Sequence, residues 1–151
     1  MKKGKALAAA TMLMAAPLVA FWEGRENTAY LDPVGIPTVC YGHTLTAEMG
    51  DVYTDKECYH LLKADLRVAA DAVDRRVDVP LSPETKAALI SFVFNVGETQ
   101  FASSTLLRKL KAGDYAGACN ELPRWVYAKG KKLRGLVRRR QAERELCLSG
   151  L

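Results

Sequence analysis

No pair of cysteines or histidines in this chain stands at a zinc-binding spacing, no glycine-rich run could wrap a phosphate, and no aromatic RNA-binding motif appears. A metal, a nucleotide cofactor and nucleic-acid recognition are therefore not expected, and any chemistry must come from side chains alone. The chain also lacks an internal repeat and a low-complexity linker, so its 151 residues read as one domain long enough to bury its own core. Nor is there an apolar run of the roughly 20 residues that a membrane helix needs. The longest uncharged stretch, Ala6 to Trp22, has 17 residues, about 25 Å as a helix against a hydrocarbon core of roughly 30 Å.

What that stretch does have is a leading charge cluster, Lys2, Lys3 and Lys5. Charge followed by apolar residues resembles a secretory signal, and Leu18-Val19-Ala20 offers a tolerable cleavage site. Cleavage there would leave Glu23 as the third residue of the mature chain, without a helix to hold it. An uncleaved segment over 1–22, followed by a domain over 23–151, is the expected division. With seven alanines, Thr11 and Pro17 in the stretch, insertion would be weak, and the lysines would keep the amino end in the cytoplasm. A cleaved signal or a buried core helix is the alternative.

The net charge of +5 is concentrated. Between Arg124 and Arg144 stand nine Lys or Arg and one acid, Glu143, a local +8, which leaves −3 for the rest. Such a run attracts any polyanion, or is simply a solvated helix face.

The element pattern is α+β and mainly helical. Pro33, Gly35 and Pro37 punctuate a short antiparallel sheet over 28–44. Thr54 and Glu57 form a capping box opening a long helix to about Val77, with an apolar stripe of Cys58, Leu61, Leu62, Leu66, Ala69 and Val73. Ser82-Pro83 opens a core helix that ends before Gly97, with Asn95 as its polar exception facing a cleft. Further helices are expected at about 103–111, 114–122 and 135–147.

Glu23, Asp32 and Thr38 place an acid, a second acid and a hydroxyl on an apparent helix end and the following hairpin. Breaking a glycosidic bond requires a carboxyl to protonate the leaving oxygen and a second group to manage charge or water. Phe21 and Trp22 would give Glu23 an apolar neighbourhood that favours its protonated form. Singly, each of the three residues could be a cap, a turn residue or a strand former.

Together they lie in E-G-x-x-x-x-A-Y-x-D-x-x-G-x-x-T-x-x-Y-G-H-T over 23–44, with FVFNVGETQF near residue 100 and RRRQAERELC near the end. The chain so resembles the phage-type lysozymes, and among them the lambdoid-phage endolysins with a signal-arrest-release segment. The resemblance implies a two-lobed lysozyme fold: a small sheet lobe, a long connecting helix and a helical lobe. It implies hydrolysis of the β-1,4 bond between N-acetylmuramic acid and N-acetylglucosamine in peptidoglycan, with inversion. Glu23 would be the general acid, Asp32 the stabiliser or water-orienting group, and Thr38 the water-positioning hydroxyl. Asn95, Arg138 and Arg139 are the candidate substrate-binding residues. The protein would act as a monomer, held first at the inner membrane facing the periplasm and then released into it. In one respect the chain departs from many relatives: an arginine expected three residues after the glutamate stands two after it, as Arg25, and Glu26 takes its place. A lytic transglycosylase and a membrane-tethered wall-binding protein are the rival readings.

Asp65 falls on the apolar stripe of the long helix, where an unpartnered carboxylate is costly. His43 is the candidate partner, and the family pattern supports the pair. Cys40, Cys58, Cys119 and Cys147 allow three pairings, or could remain free thiols. If His43 meets Asp65, Cys40 and Cys58 stand about 10 Å back along strand and helix respectively, which favours Cys40–Cys58 and leaves Cys119–Cys147.

Overall fold

The structure, a computed structural model, describes the backbone of residues 2–151 and the side chains of residues 9–151. The side chains of Lys2, Lys3 and Lys5, and with them the charge cluster read from the sequence, lie outside the described residues.

Helix α1 runs Lys2–Glu23 and ends on Gly24, whose φ of +69° suits a residue without a Cβ and whose N–H bonds back to the Ala20 carbonyl at 3.1 Å. Thr11, Ala15, Ala16 and Val19 are buried on one side of it, against α2 (Asp55–Arg76) and α3 (Pro83–Val96). Among the described residues no helix is long and apolar enough to cross a membrane. Pro17 removes the bond to the Leu13 carbonyl, but both residues are exposed, so water can take that acceptor.

Strands β1 (Glu26–Leu31) and β2 (Pro37–Cys40) pair antiparallel, with Tyr30 opposite Thr38 and an irregularity between Glu26 and Tyr30. Two tethers fix this small lobe to α2. Cys40–Cys58 is a disulfide, and His43 Nδ1 lies 2.8 Å from Asp65 Oδ2. Thr46 donates its backbone N–H to His43 Nε2 at 3.2 Å, so Nε2 accepts and Nδ1 carries the proton toward Asp65. The second disulfide, Cys119–Cys147, joins the helical lobe to its last helix. Closing loops of 18 and 28 residues, each bridge contributes about 3 kcal/mol in the chain-entropy account.

The capping box on α2 is reciprocal: Glu57 N–H donates to Thr54 Oγ1 and Thr54 N–H to Glu57 Oε1. Ser82 caps α3, which is buried from Ala87 to Val93 and takes α1, α2 and α7 (Arg134–Ser149) around it. A helix apolar on all sides belongs at the centre.

The second half departs from the sequence reading in detail. A short α4 (Glu98–Ala102) follows α3 directly, and α5 (Thr105–Lys111) waits for its cap, Ser104. Helix α6 (Tyr115–Cys119) stops before the expected 122, and a 3-10 turn at Leu122–Arg124 carries Pro123. Then β3 (Tyr127–Ala128) and β4 (Lys131–Lys132) form a hairpin that the sequence reading left unassigned. Its turn residues Lys129 and Gly130 have φ of +51° and +78°, the two positive values that a tight hairpin requires. A lysine at the first position hid the signal.

Arg75 and Arg76, in the last turn of α2, reach Glu98 at 2.7 and 3.0 Å. Hydrogen bonding from Arg75 and then Arg76 holds the Glu98 carboxyl down to about 2. A carboxyl depressed by folding stabilises above its unfolded pKa and loses that contribution as pH falls through the folded one. Protection from hydrogen exchange over 98–102, relative to the intrinsic rate at each pH, should therefore fall between about pH 4.5 and 2 in the wild type, and Glu98→Gln should remove that fall. A wild-type profile flat over this range would contradict the clamp.

Candidate active site

Glu23 is the last residue of α1, and Gly24 turns the chain directly into β1. Its Oε1 accepts from Arg139 Nη1 of α7 at 2.8 Å. Its Oε2 lies 3.2 Å from where a side-chain carbon on Gly42 would stand. Glycine at 42 therefore leaves room for the carboxylate, and a φ of +72° there suits glycine as well.

Arg139 is held in turn. It is 4% exposed, and it donates from Nη2 to the Ser91 carbonyl at 3.1 Å and from Nε to Glu143 Oε2 at 3.3 Å. Ser91 Oγ donates to the same Glu143 oxygen at 2.6 Å. Arg140 is fully buried, stacks on the Phe92 ring at 5.1 Å and donates to Asn95 Oδ1. Its Nη1 stands 3.1 Å from Glu143 Oε1, near enough for charge pairing but out of line for a hydrogen bond. Burial pushes the Glu143 carboxyl up against the pull of Arg140, Ser91 and Arg139. Burial likewise brings Arg140 down to about 10.

Two expectations about this region need correction. Arg139 and Arg140 are not part of a solvated basic face, because both guanidiniums are buried around Glu143, the one acid of the run; only Arg138 of the three is exposed. Neutralising all three would therefore disturb the core instead of reporting on surface charge. The neighbourhood of Glu23 is not apolar either: Phe21 is 75% exposed, and a guanidinium stands against the carboxylate. Arg25 pairs with Asp55 at 3.2 Å, away from Glu23, so the cation beside the acid comes from α7.

Asp32 sits in the β1–β2 turn, where Oδ1 accepts from the N–H groups of Val34 and Ile36, both at 2.9 Å. Its Oδ2 has no protein hydrogen bond among the described residues. Thr38 is 4% exposed and donates its hydroxyl proton to the Ile36 carbonyl at 2.9 Å, which leaves the oxygen's lone pairs as acceptors. The Tyr30 phenol has its pKa raised, first by desolvation and then by the charges of Glu26, Glu23 and Asp32. Tyr30 thus shares its surroundings with both acids. The sequence reading matched Tyr30 in the motif without giving it a role.

Two cavities lie in this region, one of them lined by Glu23. One of about 350 Å³ lies between the β lobe, α2 and the α3–α4 junction, lined by Gly42, Thr44, Leu45, Asp65, Val68, Phe94 and Glu98 among others. It does not include Glu23, but Gly42 lies under that carboxylate. The second, of about 330 Å³, is lined by Trp22, Glu23, Asn95, Leu133, Gly135, Leu136 and Arg139. Asn95 and Glu23 line this second cavity together, and Gly42, beside Glu23 Oε2, lines the first. Neither Asp32 nor Thr38 lines either cavity. No cluster of His, Cys, Asp or Glu among the described residues could hold a metal ion.

The sequence reading missed Ser91 and Glu143, and it placed Arg139 on the surface. The signal was present: R-R-x-x-E on one helix puts Arg139 and Arg140 four and three residues from an isolated acid.

The sequence profile of the phage lysozyme family matches residues 20–143. The chain is 44% identical over 151 residues to a SAR-endolysin of Enterobacteria phage PA-2, an alignment covering 97% of this chain and 90% of that one. Its fold matches the muramidase domain of SpmX from Asticaccaulis excentricus with a TM-score of 0.84 at 33% identity, over 89% of this chain and 94% of that one. A mutant of the lysozyme of phage P22 superposes with a TM-score of 0.80 at 34% identity, over 89% and 94% of the two chains. Matched through both lobes and across the acid at the end of α1, the chain belongs to the phage lysozyme family of glycoside hydrolases.

Proposed function

We propose that this enzyme hydrolyses the β-1,4 bond between N-acetylmuramic acid and N-acetylglucosamine in peptidoglycan, lysing the host cell, with Glu23 as general acid. The observation that carries the reading is the Glu23 carboxylate in the wall of a cavity, with Oε1 held by Arg139 and Oε2 turned toward Gly42. With Oε1 accepting from the guanidinium, a proton on Oε2 is the one available to the leaving oxygen. Asp32 Oδ2 and the Thr38 oxygen are both acceptors on the same hairpin. They would hold the water that attacks the anomeric carbon from the opposite face, giving inversion. Asn95 would contact the sugar at the rim beside Glu23. The enzyme acts as a monomer without cofactor. A lysis assay on purified wall with wild type, Glu23→Gln, Asp32→Asn and Thr38→Ala tests the roles together.

The names of the relatives and the weakly apolar stretch over 6–22 support a second part of the reading. Residues 1–22 first hold the protein in the inner membrane, facing the periplasm, and then withdraw to become α1 of a domain formed with 23–151. In the membrane, Glu23 would lie at the bilayer surface, away from Arg139. There the Leu13 carbonyl freed by Pro17 would have no water, which weakens the span. Ala15 and Ala16 are 0% and 2% exposed in the docked helix. Leucine at each would add about 2 kcal/mol of membrane burial and cost roughly 1–3 kcal/mol of overpacking on docking. The double substitution should therefore hold the protein in salt-washed membranes after depolarisation, whereas Ala9→Leu, at an exposed position, should retard release much less. A wild type that never becomes extractable from membranes by high salt at full length, or leaves only as a form cleaved near Phe21, would contradict this account.

A further inference from the structure

The outer side of docked α1 has an unusual composition for a surface helix. Ala9, Leu13, Pro17 and Phe21 are exposed at four-residue intervals, Leu13 and Phe21 at 75% each, and no charge lies between Ala6 and Trp22. A helix on the surface of a globular protein normally turns polar residues outward. Docking therefore satisfies only one side of α1.

The C-terminal end of α1 lies near a cationic element. Trp22, edge-on to Phe21 at 4.9 Å, lines the same cavity as Leu133, Gly135 and Leu136, just after the β3–β4 hairpin. The hairpin exposes Lys129, Lys131 and Lys132 together with Tyr127, and no acid occurs from Leu122 to Ala142. None of the three lysines has an ion pair among the described residues. Lys129 keeps its place in the turn at a positive φ, where asparagine or glycine would fit with less strain.

We infer that the exposed side of α1 and the β3–β4 hairpin together form a docking face for an anionic lipid bilayer, used while α1 remains packed in the domain. Charge selects this occupant. A second copy of the same face would bring no acid to the lysines, and an uncharged apolar partner would leave them unused. An anionic headgroup layer over acyl chains satisfies both parts, with Leu13 and Phe21 entering the boundary, the lysines at the headgroups and Tyr127 at the interface. This is peripheral attachment, distinct from spanning: Thr11, Ala15, Ala16 and Val19 stay in the core. It rests on the docked position of α1 and not on the role of Glu23. The consequence is an enzyme that stays at the membrane surface after release.

The test is co-sedimentation of the purified full-length protein with vesicles of phosphatidylethanolamine and phosphatidylglycerol, against phosphatidylcholine alone. Binding to the anionic vesicles is expected, falling with salt. Leu13→Ser should weaken it about tenfold, and Lys129, Lys131 and Lys132 all changed to Gln should weaken it and flatten its salt dependence. Neither variant should change turnover of a short soluble oligosaccharide, and vesicle-bound wild type should turn it over as the free protein does. Absence of binding, equal binding to phosphatidylcholine, or a lipid-independent dimer abolished by Leu13→Ser would overturn the inference. So would bound protein without turnover, since α1 would then have left the domain. If even free protein shows no turnover, the catalytic reading has failed separately; sedimentation then decides binding, and hydrogen exchange over 11–20 reports whether α1 stays docked.

Discussion

Glu23→Gln should fold like the wild type and lose lytic activity by a factor of about a hundred to ten thousand, the usual contribution of a positioned proton donor. Glutamine still accepts from Arg139 Nη1 through its carbonyl oxygen, so the α1–α7 contact at 2.8 Å has a substitute. It also fits the space that Gly42 leaves. What disappears is the proton on the second oxygen. Equal thermal midpoints with activity collapsed would isolate chemistry from stability. Appreciable lysis by the purified, folded variant would remove Glu23 from its role, whatever Asp32 and Thr38 do.

Glu143→Ala should be the most destabilising single change in the helical lobe. Glu143 is fully buried between Arg139 and Arg140, and Ser91 donates to it. Removing it leaves the Arg140 guanidinium in the core without its counter-charge and Arg139 with Glu23 alone, and breaking such a buried pair costs about 3–5 kcal/mol. For a domain of this size that lowers the thermal midpoint by roughly 10 °C or more. The loss should reach the active site as well, because the Arg139 that holds Glu23 is itself held by Glu143. Glu143→Gln, which still accepts from Ser91, should be milder on both counts. Denaturant titration and residual turnover check the pair, and an alanine variant as stable as wild type would show that the network is not needed.

The first half of the fold was legible because its signals are local. A reciprocal capping box, Ser82-Pro83, and turns punctuated by proline and glycine each act within a few residues, and the stripe on α2 repeats at helical spacing. The His43–Asp65 contact could be anticipated because a carboxylate on an apolar stripe demands a partner. The second half was harder, since short helices depend on their neighbours more than on propensity; α4 and α6 have five residues each. The surroundings of Glu23 were misread for a further reason. Charge was summed along the chain, while burial separates Arg139 and Arg140 from Arg138 one position away. One face of a helix cannot be inferred from the net charge of all of them.

The most direct test of the proposed reaction is the chemistry of the ends it makes. Purified wall digested by the released enzyme should yield fragments ending in reducing N-acetylmuramic acid, with the new anomeric centre inverted when first formed. Fragments ending in 1,6-anhydro sugar would mean that the sugar's own hydroxyl, and not a water held by Asp32 and Thr38, attacks the bond.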